Sequence, residues 1–199
     1  MKLNRIGLLI KSLDRRQKLV GGIVLAAFAL LVAFALLMQG NRPPKVTYGH
    51  FVSNTGGFEA EVPDGKMEAA QASYKVSDHK LNRHTYTSTT GSVEYLVSHF
   101  DLPVGLITPP ERTGLINTLI AEYLISFNGI VAKSEPVKQG GYEGLKVVAE
   151  GAGGEEPVVA TVMVVTVSNR VYLVAIKGNP GELTRRKTDR FLESFGFVF

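Results

Sequence analysis

Residues 158–167 read VVATVMVVTV and residues 171–176 read VYLVAI, joined by Ser168-Asn169-Arg170. Both segments are apolar at odd and even positions alike. Successive side chains of a strand point to opposite faces, so strands with this composition are covered on both sides. The link between them is too short for a crossover, which predicts an antiparallel hairpin. Strands at about 130–137 and 145–150 extend it on the N-terminal side.

Such a sheet needs apolar cover on each face. The clearest helix in the chain supplies one. Thr108-Pro109-Pro110-Glu111 has the form of a capping box, with Pro at the first helical position. Leu115, Ile116, Leu119, Ile120, Tyr123, Leu124 and Phe127 then fall on one stripe at helical period. Arg112, Asn117, Thr118 and Glu122 lie on the opposite side, and Gly129 supplies the stop. The second cover is expected from the C-terminus. Asn179-Pro180-Gly181-Glu182 repeats the cap logic, Leu183, Phe191, Leu192 and Phe195 give a sparser stripe, and Phe197 to Phe199 could add a short strand. Arg185, Arg186, Lys187 and Arg190 on this helix read as a solvated face with Asp189 and Glu193 as intrahelical partners.

The earlier part of the domain reads as strands. Phe58-Glu-Ala-Glu-Val62 alternates and stops at Pro63-Asp64-Gly65. Runs at 67–76, 80–88 and 93–100 follow, the last two joined by a hairpin turn at Thr90-Gly91-Ser92. The predicted fold class is α+β: a single antiparallel sheet flanked by helices, an α/β/α sandwich.

Residues Leu19 to Met38 read LVGGIVLAAFALLVAFALLM, without a charge or a polar side chain. As a helix this run is about 30 Å long, the thickness of a bilayer's hydrocarbon core. It is longer than the apolar region of a secretory signal, and Leu37-Met38-Gln39-Gly40-Asn41 lacks a small-residue cleavage pattern. The reading is a signal anchor, a transmembrane helix over 19–40, with residues 19–38 in the lipid bilayer. Lys2, Arg5, Lys11, Arg15, Arg16 and Lys18 precede it against Asp14 alone, so residues 1–18 carry +5 of a chain whose net charge is +4, leaving −1 for the rest. The positive-inside rule puts this basic segment in the cytoplasm and everything beyond Asn41 outside it. A linker follows at 41–49, stiffened by Pro43-Pro44, and one extracytoplasmic domain occupies 50–199. The expected location is a single-pass cell-membrane protein. Its near-neutral body has no basic stripe, which excludes nucleic acid as the expected partner.

The order of motifs resembles a known family. It runs from FEAEVP (58–63) and YLVSHFDLP (95–103) through the capped helix and a Gly-Tyr-x-Gly turn (141–144) to RVYLVAIKG (170–178) and FLESF (191–195). This arrangement is similar to the PsbP-like α/β sandwich domains of bacterial extracytoplasmic proteins, over residues 50–199 only. The resemblance implies a binding or accessory module, as PsbP is for a membrane photosystem, and no catalytic signature.

Residues capable of chemistry are few. The chain contains no Cys, which excludes disulfides, thiol nucleophiles and cysteine zinc sites. No G-x-S-x-G, G-x-G-x-x-G or Walker A motif occurs, and no cofactor is expected. His84 and His99 lie on the two arms of the predicted hairpin. A turn at Thr90-Gly91 sets His84 opposite Val97, whereas a turn at Gly91-Ser92 sets it opposite His99. In both registers the two histidines share a face with Asp101. Two His and a carboxylate are a ligand set for a metal with open positions, and the same residues also read as half-exposed strand histidines beside Tyr86 and Tyr95. Leu102, Val104, Leu106 and Ile107 sit in a connection. They either fold over the sheet edge beneath the long helix or, where exposed, form a partner-binding patch. The functional expectation is an extracytoplasmic binding or accessory module without catalysis, partnered by a membrane or envelope protein. The alternatives are a small-ligand or metal-ion binder at His84 and His99, and behind it a metal-assisted hydrolase.

Overall fold

The computed structural model describes residue 30 and residues 46–76, 79–105, 109–154 and 156–198. Apart from Leu30, the residues 19–38 read as transmembrane lie outside the described residues, as does the cap residue Thr108. Among the described residues no helix is long and apolar enough to cross a membrane. Residues 46–199 form one compact unit.

The strands are β1 (Tyr48–Ser53), β2 (Phe58–Pro63), β3 (Glu68–Val76), β4 (His79–Thr90), β5 (Val93–Asp101), β6 (Ile130–Gln139), β7 (Tyr142–Gly153), β8 (Glu156–Val167), β9 (Arg170–Gly178) and β10 (Gly196–Phe197). Helix α1 (Pro109–Ile125) joins β5 to β6, and α2 (Arg185–Ser194) follows β9. Seven strands form an antiparallel sheet in the order β3-β4-β5-β9-β8-β7-β6, and three form a second sheet in the order β1-β2-β10. Two meanders, β3-β4-β5 and β6-β7-β8-β9, are thus joined edge to edge at β5–β9. The chain reaches the far edge through α1, which packs on β7 and β8.

The expected hairpin is present as β8–β9 and lies at the centre of the seven-stranded sheet. Its two apolar parities feed two separate cores. Ala160, Val162, Val164, Val171, Leu173 and Ala175 face α1, where Leu115, Leu119, Ile120, Tyr123, Leu124 and Phe127 cover them. Met163, Val165, Val167, Tyr172, Val174 and Ile176 face the other way. The cover on that side corrects the single-sheet expectation. A ten-residue helix is about 15 Å long, whereas seven strands at about 4.8 Å spacing are roughly twice as wide. The three-stranded sheet makes up the difference: Phe58, Ala60 and Val62 point inward beside Phe191, Leu192 and Phe195 of the C-terminal segment. Strand β1 begins within the stretch read as linker, and the architecture is helix, seven-stranded sheet, then a small sheet with α2.

Both helix ends differ from expectation in detail. Asn128, not Gly129, adopts the left-handed conformation after α1, at φ 52°. The Gly129 amide then closes the helix by donating to the Leu124 carbonyl at 2.8 Å. Gly129 is required instead for space, because a Cβ there would lie 2.6 Å from the Phe127 ring. At α2 the cap is Thr184, whose side chain accepts from the Lys187 amide. Asn179 to Glu182 form a preceding turn, with the Gly181 amide donating to Asn179 Oδ1 at 2.9 Å. The basic face of α2 is only partly solvated. Arg185 pairs with Asp189 one turn on, but Arg190 donates to Glu61 on β2 at 2.5 Å and lies 4.2 Å from the Tyr48 ring centroid. These ties fasten α2 to the small sheet.

Candidate functional site

Gly91 takes φ 60°, which an L side chain adopts only at a cost. Thr90 pairs with Val93, so Gly91 and Ser92 are the centre of the β4–β5 turn. Of the two registers open in the sequence, this is the one that places His84 directly opposite His99. Their rings stack with centroids 5.1 Å apart and planes 12° from parallel. The Tyr86 ring is also nearly parallel to that of His99, with centroids 6.0 Å apart and planes 15° from parallel. Tyr172 of β9, opposite His99 in the β5–β9 ladder, lies 5.9 Å away.

His99 is only 2% exposed, and neither ring nitrogen has a hydrogen-bond partner among the described residues. A buried polar atom left unpaired costs about 1–3 kcal/mol, and charging the ring there would cost more. Burial pushes the imidazole down from its usual 6.5 to about 4, helped by the positive charge of Arg170 and by His84, with Asp101 opposing. His99 is therefore neutral at ordinary pH.

Asp101 is taken up by a cation. Arg170 donates from Nε to Oδ1 at 2.5 Å and from Nη2 to Oδ2 at 2.8 Å. Hydrogen bonding to this guanidinium holds the carboxyl below its usual range. The same Arg170 donates through Nη1 to the carbonyls of Gly56 at 3.0 Å and Thr55 at 3.3 Å. The Tyr172 hydroxyl donates to Gly56 O at 2.8 Å, and Ser53 Oγ donates to the Tyr86 hydroxyl at 3.0 Å. The β1–β2 turn is thus tied to both tyrosines that flank His99.

The structure brings His84 and His99 together and leaves Asp101 engaged elsewhere. Ring lone pairs lie in the ring plane, so two nearly parallel stacked imidazoles do not converge on one point. Among the described residues no group of three His, Asp or Glu is arranged to hold a metal ion. Leu102 is 6% exposed and packs in the α1-side core, whereas Val104 is 93% exposed. Leu106 and Ile107 lie outside the described residues. Nothing in the sequence marks Arg170 and Tyr172 as site residues. Arg170 is legible only as the first residue of a strand, and its pairing with Asp101 depends on which strands become neighbours.

No family model matches the chain, and no curated protein does. Among solved structures it is similar to cyanobacterial PsbP from Synechocystis at 13% identity and a TM-score of 0.48, covering 77% of this chain and 94% of that one. It is also similar to a protein of unknown function from Pseudomonas aeruginosa at 9% identity and a TM-score of 0.40, covering 71% of this chain and 89% of that one. No functional conclusion follows from either likeness.

Proposed function

We propose that the chain is a binding or accessory module held outside the cytoplasm by its apolar N-terminal run, with no catalytic activity of its own. The observation that carries this reading is the use made of the groups best suited to chemistry. His99 is sealed and neutral between aromatic rings, and Asp101 is bound by Arg170. The ties between the two sheets run through their neighbours, Arg170 and Tyr172. A general acid or base must reach a substrate atom, and neither group is free to do so. The apolar run of residues 19–38 and the basic segment before it support the tether and its orientation. The exposed Val104 supports a partner surface at the connection after β5.

The test is crosslinking and affinity purification of the full-length protein from detergent-solubilised membranes, beside a form whose residues 1–40 are replaced by an unrelated anchor. The expected result is a stoichiometric partner that survives the swap and is lost in Val104→Asp. No partner in either sample, or a partner lost on the swap, would overturn the reading. Leu102→Asp is unsuitable as a probe, because its buried position would make it a folding variant.

A further inference from the structure

We infer that a cleft beside the first turns of α1 binds a small zwitterion, a primary ammonium held close to an anionic group. The cleft lies between α1 and the turns that join β6 to β7 and β8 to β9, and has a volume of about 680 Å³. That falls within the usual range of small-molecule sites, roughly 300–1,000 Å³. Ile116 and Leu145 give it an apolar part.

Its polar lining is unusual in two respects. The first is Thr166. It shares the α1-facing parity of Ala160, Val162 and Val164, and only 7% of it is exposed. Its Oγ1 has no hydrogen-bond partner among the described residues, and the residue lines the cleft. A buried hydroxyl almost always finds a partner in a folded protein, and Thr166 borders the cleft. The second is a pair of opposed charges. Arg112 stands on the helix wall and Glu143 on the strand wall. Neither makes an ion pair among the described residues. Lys138 lies across the ladder from Glu143 on the edge strand and does not line the cleft.

This charge pattern decides the ligand class. An anion drawn to Arg112 would meet Glu143, and a cation drawn to Glu143 would meet Arg112. A molecule carrying both charges satisfies both walls, and Asn117, Thr166 and Ser168 offer it neutral hydrogen bonds. The chemistry is shared by a free α-amino acid and by the ethanolamine phosphate headgroup of a lipid. The inference rests on the cleft alone and holds whether or not a protein partner is found.

The full-length protein in phosphate-free, non-phospholipid detergent is titrated by calorimetry with L-serine and with O-phosphoethanolamine. Acetate, methyl phosphate and ethylammonium serve as half-molecules. The expected result is that at least one zwitterion binds about tenfold more tightly than any half-molecule. Preference for L-serine identifies a free amino acid as the source, and preference for O-phosphoethanolamine a lipid headgroup. Arg112→Gln and Glu143→Gln each weaken binding by about tenfold or more, and the near-isosteric Thr166→Val weakens it severalfold. No zwitterion binding below about 10 mM overturns the proposal, as does equal binding of the halves. Affinity unchanged in either Arg112→Gln or Glu143→Gln, with circular dichroism showing that variant folded, overturns it as well.

Discussion

Arg170 stands directly across the β5–β9 ladder from Asp101 and binds both of its carboxylate oxygens while reaching the Thr55 and Gly56 carbonyls of the other sheet. One guanidinium thus serves as a staple between sheets that share no strand. The carboxylate fixes the orientation of the fork, and the fork then fixes the β1–β2 turn above His99. A lysine could not do both tasks, because it offers a point charge without the planar array of donors.

Replacing Arg170 with Met should lower stability by about 1–3 kcal/mol in urea unfolding, the range for losing hydrogen bonds to charged groups. The half-exposed position of Asp101 puts the expectation toward the lower end. The carboxyl of Asp101 is held below its usual value in the folded protein. Its contribution is therefore present above the ordinary carboxylate range and is lost as pH falls through the lowered folded value. The gap between wild type and Arg170→Met should narrow in acid. A gap that widened there would contradict the pairing.

His99 imposes a pH dependence of its own. The unfolded ring takes a proton near its ordinary 6.5, and the folded ring only at about 4. Between those values the unfolded state binds more protons, so stability falls as pH drops from about 6.5 to about 4 and levels off below. The total loss is on the order of 3 kcal/mol. His99→Phe keeps an aromatic ring between Tyr86 and Tyr172 and removes both unpaired nitrogens. It should flatten this part of the profile and be more stable than wild type at pH 5. An unchanged slope in His99→Phe would assign the dependence to other groups.

What could be read in advance follows from the range of the forces involved. The β8–β9 hairpin and the α1 stripe were legible because their periodicity is local, and Val162 or Leu119 declares its environment through near neighbours. The two-sheet architecture was not. Gly196 and Phe197 pair with Glu59 and Phe58 across most of the domain, and nothing in either segment names the other. The His84–His99 pair lay between these cases: the hairpin was evident, and only the placement of Gly91 at a left-handed turn position chose the register. Arg112, Glu143 and Thr166 come from three elements and meet only through the fold, so no spacing in the sequence could signal the cleft.

Two positions on α1 test its face. Leu119 is 1% exposed in the core against β7 and β8, while Ile125 is 74% exposed. Leu119→Ala should cost about 2–5 kcal/mol through lost burial and the cavity left behind. Ile125→Ala should change stability by no more than about 0.5 kcal/mol. Similar losses at both sites, measured by thermal and urea unfolding, would mean that the helix is rotated from the described packing.

The end of α1 depends on one residue in an uncommon conformation. Asn128 sits at φ 52°, and the Gly129 amide that follows reaches back to Leu124 O. Asn tolerates this region better than most L residues, but glycine enters it freely. Asn128→Gly should therefore be neutral to stabilising, by up to about 1 kcal/mol once its greater freedom in the unfolded chain is counted. Asn128→Val should destabilise by about 1–2 kcal/mol, because a β-branched side chain crowds the left-handed backbone. The consequence extends beyond the helix. The Ala152 amide on β7 donates to the Phe127 carbonyl at 3.0 Å, so a distorted turn also loosens the strand beneath it. Amide hydrogen exchange at Ala152 should accelerate in Asn128→Val and stay unchanged in Asn128→Gly. Exchange that is indifferent to both substitutions would show that the turn does not hold the end of β7.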